Sequence, residues 1–178
     1  MSRIVILAGS PRKGGNTDAL VKAFAEGASK HNEVEILRVA DLDVAPCIGC
    51  NTCFSREGNA CFRHDDMGKV YAALASADIL AIASPVYFYG ISSQLKAVID
   101  RLHTPLRNTF HIKRACLLLC GAATLPELFD AILKQYELAL KFFDIEDAGR
   151  ILARGVREKG DILNAPAIEE ARKLGDSI

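Results

Sequence analysis

Residues 4–17 read Ile4-Val5-Ile6-Leu7-Ala8 and then Gly9-Ser10-Pro11-Arg12-Lys13-Gly14-Gly15-Asn16-Thr17. They lead into a segment with Leu20, Phe24 and Ala28 at helical spacing. An apolar strand that turns through a glycine-bearing loop into a helix N-terminus is built to receive a phosphate group. Free loop N–H groups and the positive end of the helix dipole converge there on one point. Ser10, Asn16 and Thr17 add side-chain donors, and Arg12 and Lys13 add positive charge. Two common phosphate loops are excluded by spacing. Gly9 and Gly14 bracket four residues as in a Walker A loop, but Gly15-Asn16 replaces its Lys-Ser/Thr pair. The Gly-x-Gly-x-x-Gly dinucleotide fingerprint fails because residue 11 is proline. What remains suits a single terminal phosphate held by hydroxyls and amides.

Working outward, short apolar runs alternate with amphipathic segments along the whole chain. The pattern predicts strands at Arg3–Gly9, Glu33–Val39, Asp78–Ser84, Arg114–Gly121 and Ala148–Ala153. It predicts helices at Thr17–Lys30, Asp66–Ala75, Ser92–Leu102, Leu125–Phe143 and Ala165–Leu174. Strands alternating with helices imply a doubly wound α/β fold, a parallel sheet with helices on both faces. The first, third and fourth strands are apolar throughout and belong inside. The second alternates, and the fifth carries Arg150 with Arg154 just beyond it, so both suit edges. That fits a five-stranded sheet in the flavodoxin-like order 2-1-3-4-5, with a ligand crevice above strands one and three. The crevice then joins Ser10–Thr17 to Pro85-Val86-Tyr87-Phe88-Tyr89-Gly90. The second stretch offers a slot for a flat, largely apolar ring, and Gly121-Ala122 lies at the opposite edge.

Composition sets the class. The chain has 178 residues, half of them hydrophobic, and 22 basic against 22 acidic residues. A single domain over 1–178 with an irregular, cysteine-rich loop at 40–65 is expected. The charge balance gives no reason to expect a nucleic-acid or anionic-membrane partner. The first apolar run is too short for a signal sequence, and no segment approaches a membrane span, which predicts a cytoplasmic protein.

The blocks Gly9–Thr17, Asp65-Asp66-Met67, Ser84-Pro85-Val86-Tyr87-Phe88, Gln94-Leu95-Lys96 and Asp100-Arg101 together resemble the NAD(P)H-dependent FMN reductase group. Within that group the likeness to the iron-sulfur flavoproteins is greatest, and it extends to Lys159-Gly160-Asp161-Ile162 near the end. The resemblance implies FMN, with its phosphate on Ser10, Arg12, Asn16 and Thr17 and its ring against Pro85, Val86, Tyr87 and Phe88, near Gly121. It implies homodimers or homotetramers built around the flavin sites.

Cys47, Cys50 and Cys53 are separated by two residues each, and Cys61 follows after seven more. Four thiolates at this spacing suit a [4Fe–4S] cluster, and the pattern resembles the compact cysteine motif of iron-sulfur flavoproteins. A four-cysteine zinc site and a metal-free thiol loop are the alternatives. Because the loop leaves the second strand's carboxyl end, it is expected on the flavin side, offset by roughly 5–10 Å from strand spacing. Cys116 and Cys120 read as small core residues, and the four histidines show no ligand spacing. Asp65-Asp66 reads as a helix start and Asp100-Arg101 as a helix-surface pair or subunit contact.

The expected function is an FMN-dependent oxidoreductase. It takes hydride from NAD(P)H and passes electrons to a small molecule or redox protein, through the cluster if one is present. A cluster-free NAD(P)H:FMN or quinone reductase and a flavodoxin-like electron carrier are the competing readings. No Ser-His-Asp set or carboxylate pair suggests acid–base catalysis, so the cofactor carries the chemistry.

Overall fold

The computed structural model describes residues 1–178. In chain order, the sheet strands are β1 (Arg3–Ala8), β2 (Glu33–Arg38), β3 (Ile79–Pro85), β4 (Arg114–Cys120) and β5 (Glu146–Ala153). The helices are α1 (Asn16–Ala28), α2 (Thr52–Ser55), α3 (Met67–Ala75), α4 (Ser93–Asp100), α5 (Asp130–Phe143) and α6 (Pro166–Asp176). All strand pairs are parallel, in the order β2-β1-β3-β4-β5. The doubly wound sheet expected from the sequence is therefore present, with ends that move by one or two residues.

Two differences have clear causes. The segment expected as one helix over Leu125–Phe143 begins with a separate 3-10 turn, Pro126–Phe129, and α5 starts only at Asp130. Pro126 has no N–H to continue a helix and sits where a helix starts. Inside the cysteine loop lies α2, one turn of four residues with no buried side chain, too short for any periodic signal.

Strand alternation divides the core in two. Ile4, Ile6 and Ala8 of β1, with Ala81, Leu118 and Cys120, face α1 and α6. Val5 and Leu7, with Leu80, Leu117 and Leu119, face α3, α4 and α5. Ile4 to Leu7 are fully buried, as a central strand covered on both faces requires. Strand β2 has no fully buried residue, which marks it as an edge.

Helices α1 and α6 cross at two glycines. A Cβ on Gly27 would lie 2.0 Å from the Arg172 carbonyl oxygen, and one on Gly175 would lie 2.1 Å from that of Phe24. This contact fixes how the α1 N-terminus meets the segment that precedes α6.

Candidate functional site

The carboxyl ends of β1 and β3 are tied together by two buried serines. Ser92 Oγ donates to the Gly9 carbonyl at 2.6 Å and accepts the Leu95 N–H, so one hydroxyl caps α4 and holds the end of β1. The Ser92 N–H donates to Ser84 Oγ at 3.0 Å. Gly9 is required where these elements meet, since a Cβ there would stand 2.8 Å from Leu95. Sequence reasoning gave neither serine this role; Ser84 lies at the end of an apolar strand, and Ser92 opens the expected Ser92–Leu102 helix, where a hydroxyl is an ordinary cap.

Above this knot the phosphate loop presents unpartnered donors. Arg12 N–H is taken by Ser10 Oγ at 3.2 Å, and Gly14 N–H by Asp18 Oδ2 at 2.7 Å. The N–H groups of Lys13, Gly15, Asn16, Thr17 and Asp18 have no partner within the chain, and α1 has no side-chain cap. Gly14 adopts φ +65°, a left-handed conformation that turns these amides inward. Ser10 and Thr17 are 4% and 2% exposed, so their hydroxyls are held in place by packing.

These donors line one end of a cleft of about 550 Å³, within the size range of cofactor sites. Of the residues expected from the sequence, Ser10, Arg12, Asn16, Thr17, Pro85, Val86 and Tyr87 all meet on it. Phe88 and Gly121 do not. The Tyr87 N–H donates to the Gly90 carbonyl at 2.9 Å, and the Gly90 N–H returns to that of Tyr87 at 3.0 Å. A two-residue hairpin results, with Phe88 and Tyr89 at its tip at φ 47° and 63°. The turn aims the Phe88 ring outward, and it is 97% exposed. Gly121 N–H is bonded to the Ala153 carbonyl at 2.8 Å, and a Cβ there would collide with Leu128 at 2.5 Å. Gly121 therefore packs behind the cleft, and its neighbours Cys120 and Ala122 line it. The Val86 N–H is likewise engaged, by the Cys120 carbonyl. Phe88, Tyr89 and Ala122 keep the N–H groups that have no partner within the chain. The Cys120 thiol is pushed up to about 12 by burial, countered in part by a hydrogen bond with Thr17. It stays a neutral wall.

The rest of the lining is the segment Val156–Lys159, which brings Arg157 and Lys159 beside Arg12 and Lys13 with Glu158 between them. Asn16 holds that segment. Its Nδ2 donates to the Glu158 carbonyl at 2.9 Å, and its Oδ1 accepts the Gly160 N–H at 3.0 Å. The side-chain amide is thus occupied by the chain itself, while the Asn16 backbone N–H has no partner within the chain. Asn16→Ala is expected to free residues 157–160 and to weaken binding of FMN, the ligand the sequence resemblance implies, by roughly tenfold, the lower range for loss of a supporting contact. Limited proteolysis, with new cleavage after Arg157 or Lys159, would report the release directly.

The cysteine loop is anchored elsewhere. The buried Arg101 Nη1 pairs with the Asp65 carboxylate and donates to the Ala45 carbonyl at 3.2 Å. Asp65 Oδ2 also accepts the Ala45 N–H at 3.1 Å. The surface-pair expectation for Asp100-Arg101 is corrected: Asp100 pairs with Lys96 one turn earlier, and Arg101 turns inward to fasten the loop. The thiols gather beside that anchor. Cys47, Cys50, Cys53 and Cys61 line a cavity of about 100 Å³ with Tyr71, Arg101 and His103. That cavity shares no residue with the flavin-sized cleft. Helix α4 starts at the crest and runs down about 12 Å at 1.5 Å per residue, so its far end, where the thiols gather, is remote from it.

The four thiols share one cavity, but no three acidic, histidine or cysteine groups converge closely enough to hold a single metal ion. Soft thiolate donors beside Arg63 and Arg101 are the right chemistry for an anionic iron–sulfur cluster, and the Arg63 Nε is buried without a partner. Thr52, by hydrogen bonding, holds the Cys50 thiol below its ordinary range.

The NADPH-dependent FMN reductase family model matches residues 2–152. This chain belongs to that family. Over 112 residues it is 38% identical to iron-sulfur flavoprotein MJ1083 of Methanocaldococcus jannaschii, covering 62% of this chain and 56% of that one. The chain thus spans little more than half the length of such relatives. It is 28% identical to Bacillus subtilis YwqN, provisionally named an NAD(P)H-dependent FMN-containing oxidoreductase, over 97% of this chain and 96% of that one. An NAD(P)H:quinone oxidoreductase from Methanothermobacter marburgensis shares the fold, with a TM-score of 0.78 at 18% identity, covering 99% and 96% of the two chains. No helix of this FMN reductase family member is long and apolar enough to cross a membrane.

Proposed function

We propose that this protein is an FMN-dependent oxidoreductase that takes hydride from NAD(P)H and delivers electrons to a small-molecule or redox-protein acceptor. One observation carries the reading. A cleft of about 550 Å³ at the β1/β3 crest has free helix-terminal amides and four cations at one end and the Pro85–Tyr87 wall at the other. FMN is a dianionic phosphate joined to a flat ring, and the cleft matches both ends. When bound, the flavin supplies the hydride and electron chemistry. The amides of residues 13 and 15–18, with Ser10 and Thr17, hold the phosphate. Pro85, Val86 and Tyr87 would flank the ring, and the free N–H of Ala122, which lines the cleft, would favour negative charge on it.

Cys47, Cys50, Cys53 and Cys61 would hold a [4Fe–4S] cluster, which would supply one-electron transfer. A shared cavity, the cationic wall and the likeness to iron-sulfur flavoproteins support this. The spread of the thiols favours the second reading, a cluster-free FMN or quinone reductase. The reading extends to a cytoplasmic homodimer or homotetramer. Exposed Phe88, Leu138 and Phe142 offer apolar surface for subunit contact.

Protein purified without oxygen is expected to carry one FMN per chain and to bleach when NADPH or NADH is added. Flavin that stays yellow with both would make the protein an electron carrier. Absence of flavin, and failure to take it up, would end the reading. Iron and acid-labile sulfide near four each per chain are expected with the cluster; neither is expected without it.

A further inference from the structure

The phosphate loop is held from behind by a charged network of which only Lys13 reaches the cleft. Asp18 lies in the first turn of α1 and Arg38 ends β2. Arg38 Nη1 donates to Asp18 Oδ2 at 2.6 Å, and the same oxygen accepts the Gly14 N–H. Arg38 Nε stands 3.3 Å from Asp41, whose other oxygen is 3.2 Å from Lys13 Nζ. One guanidinium therefore reaches the loop twice, at Gly14 through Asp18 and at Lys13 through Asp41. Arg38 and Asp18 are 25% and 18% exposed, and Asp18 Oδ1, Arg38 Nε and Arg38 Nη2 are buried with no hydrogen-bond partner, so Asp41 meets the guanidinium as an ion pair only.

The arrangement is unusual for an anion site. Asp18 places a carboxylate on the same helix turn whose amides must accept a phosphate of charge near −2, and like charges repel. Its use is conformational, because it fixes Gly14 in the φ +65° turn that exposes the neighbouring amides. Lys13, Asp18, Arg38 and Asp41 together sum to zero charge. Without Arg38 the set is negative and Asp18 faces the phosphate uncompensated.

We infer that Arg38 is a positioning residue for the cofactor phosphate: it cancels Asp18 and braces the loop at Gly14 and Lys13 without contacting the ligand. The inference rests on the FMN reading above. It predicts a defect confined to ligands that carry the phosphate. Riboflavin shares the ring and ribityl chain and lacks only that group, so the ratio of the two affinities isolates the effect.

The test is fluorescence titration of the apoprotein with FMN and with riboflavin, for wild type, Arg38→Gln, Arg38→Lys, Asp18→Asn and the Arg38→Gln/Asp18→Asn double variant. Arg38→Gln is expected to weaken FMN by about 10- to 100-fold, the range for losing a group that supports a ligand-binding one. Riboflavin should change less than about twofold. Arg38→Lys should recover part of the loss. The double variant should return to within about threefold of wild type, because the side-chain amide introduced at position 18 still accepts the Gly14 N–H and carries no charge. Equal weakening of FMN and riboflavin, unchanged FMN binding in Arg38→Gln, or a double variant no better than the single would each overturn the inference. If Arg38→Gln does not fold by circular dichroism, Asp18→Asn decides. It should bind FMN at least as tightly as wild type, and a tenfold loss would overturn the inference. Any of these outcomes in a wild type that binds FMN more tightly than riboflavin overturns the inference alone; wild type that discriminates against FMN, or binds neither, ends the FMN reading with it.

Discussion

Replacing Arg101 with methionine is expected to lower stability by about 3–5 kcal/mol, the cost of breaking a buried ion pair from one side. The Arg101 and Asp65 side chains are only 4% and 8% exposed, so the stranded carboxylate has no water to turn to. In urea or thermal unfolding this corresponds to a melting temperature lower by roughly 6–20 °C for a domain of this size. Lys96→Met, which removes an exposed i,i+4 pair with Asp100, should change stability by less than about 0.5 kcal/mol. The pH dependence follows from the same pair. Burial raises the Asp65 carboxyl, but Arg101 and the N–H groups of Ala45 and Met67 outweigh it and hold the carboxyl below its ordinary range. A lowered folded-state value means that the stabilisation is complete above about pH 4, the unfolded carboxyl value, and disappears as pH falls through the folded one. In Arg101→Met the opposing guanidinium is gone, so acid unfolding should begin at higher pH than in wild type. A loss under about 1 kcal/mol with an unmoved acid transition would mean that the cysteine loop is anchored by something else.

Gly27→Ala should also destabilise strongly, by about 3 kcal/mol, near the upper end for overpacking. The added methyl carbon would lie 2.0 Å from a backbone oxygen of α6, and no rotamer relieves a clash with backbone. The two helices must separate, and the residues ahead of α6 that line the cleft move with them. Gly68→Ala is the control. Its Cβ meets nothing within 4 Å on α3, so that change should stabilise by about 0.5–1 kcal/mol through helix propensity alone. Chemical denaturation of the two variants side by side gives opposite signs if the crossing is as close as described. Loss of stability in both, or in neither, would contradict it.

The sheet was readable because its signal is long and periodic. Continuous apolar runs in β1, β3 and β4 against the alternating β2 give the strand order directly. The turn from β1 into α1 was readable because a strand, a glycine loop and a helix start sit in one contiguous stretch. What could not be read depends on side-chain direction. Asn16 looks like a phosphate donor by type and position, and only its contacts with Glu158 and Gly160 show it fastening a distant segment. Those partners lie more than 140 residues away, and no local pattern announces them. Phe88 reads as a ring-stacking residue until the left-handed hairpin turns it out, a conformation that bulky residues rarely adopt. The cysteine spacing signalled four thiols in one place, and they do share one cavity. Its place at the far end of α4 depends on Arg101 turning inward, which spacing along the chain does not encode.

The most direct test is a crystal structure of the protein grown with FMN. The phosphate is expected within hydrogen-bond distance of the Gly15, Asn16, Thr17 and Asp18 amides and the Ser10 and Thr17 hydroxyls, with the ring beside Pro85, Val86 and Tyr87. Well-ordered crystals in which FMN lies at any other surface, or in which this cleft stays empty at saturating FMN, would contradict the assignment of the crest as the flavin site.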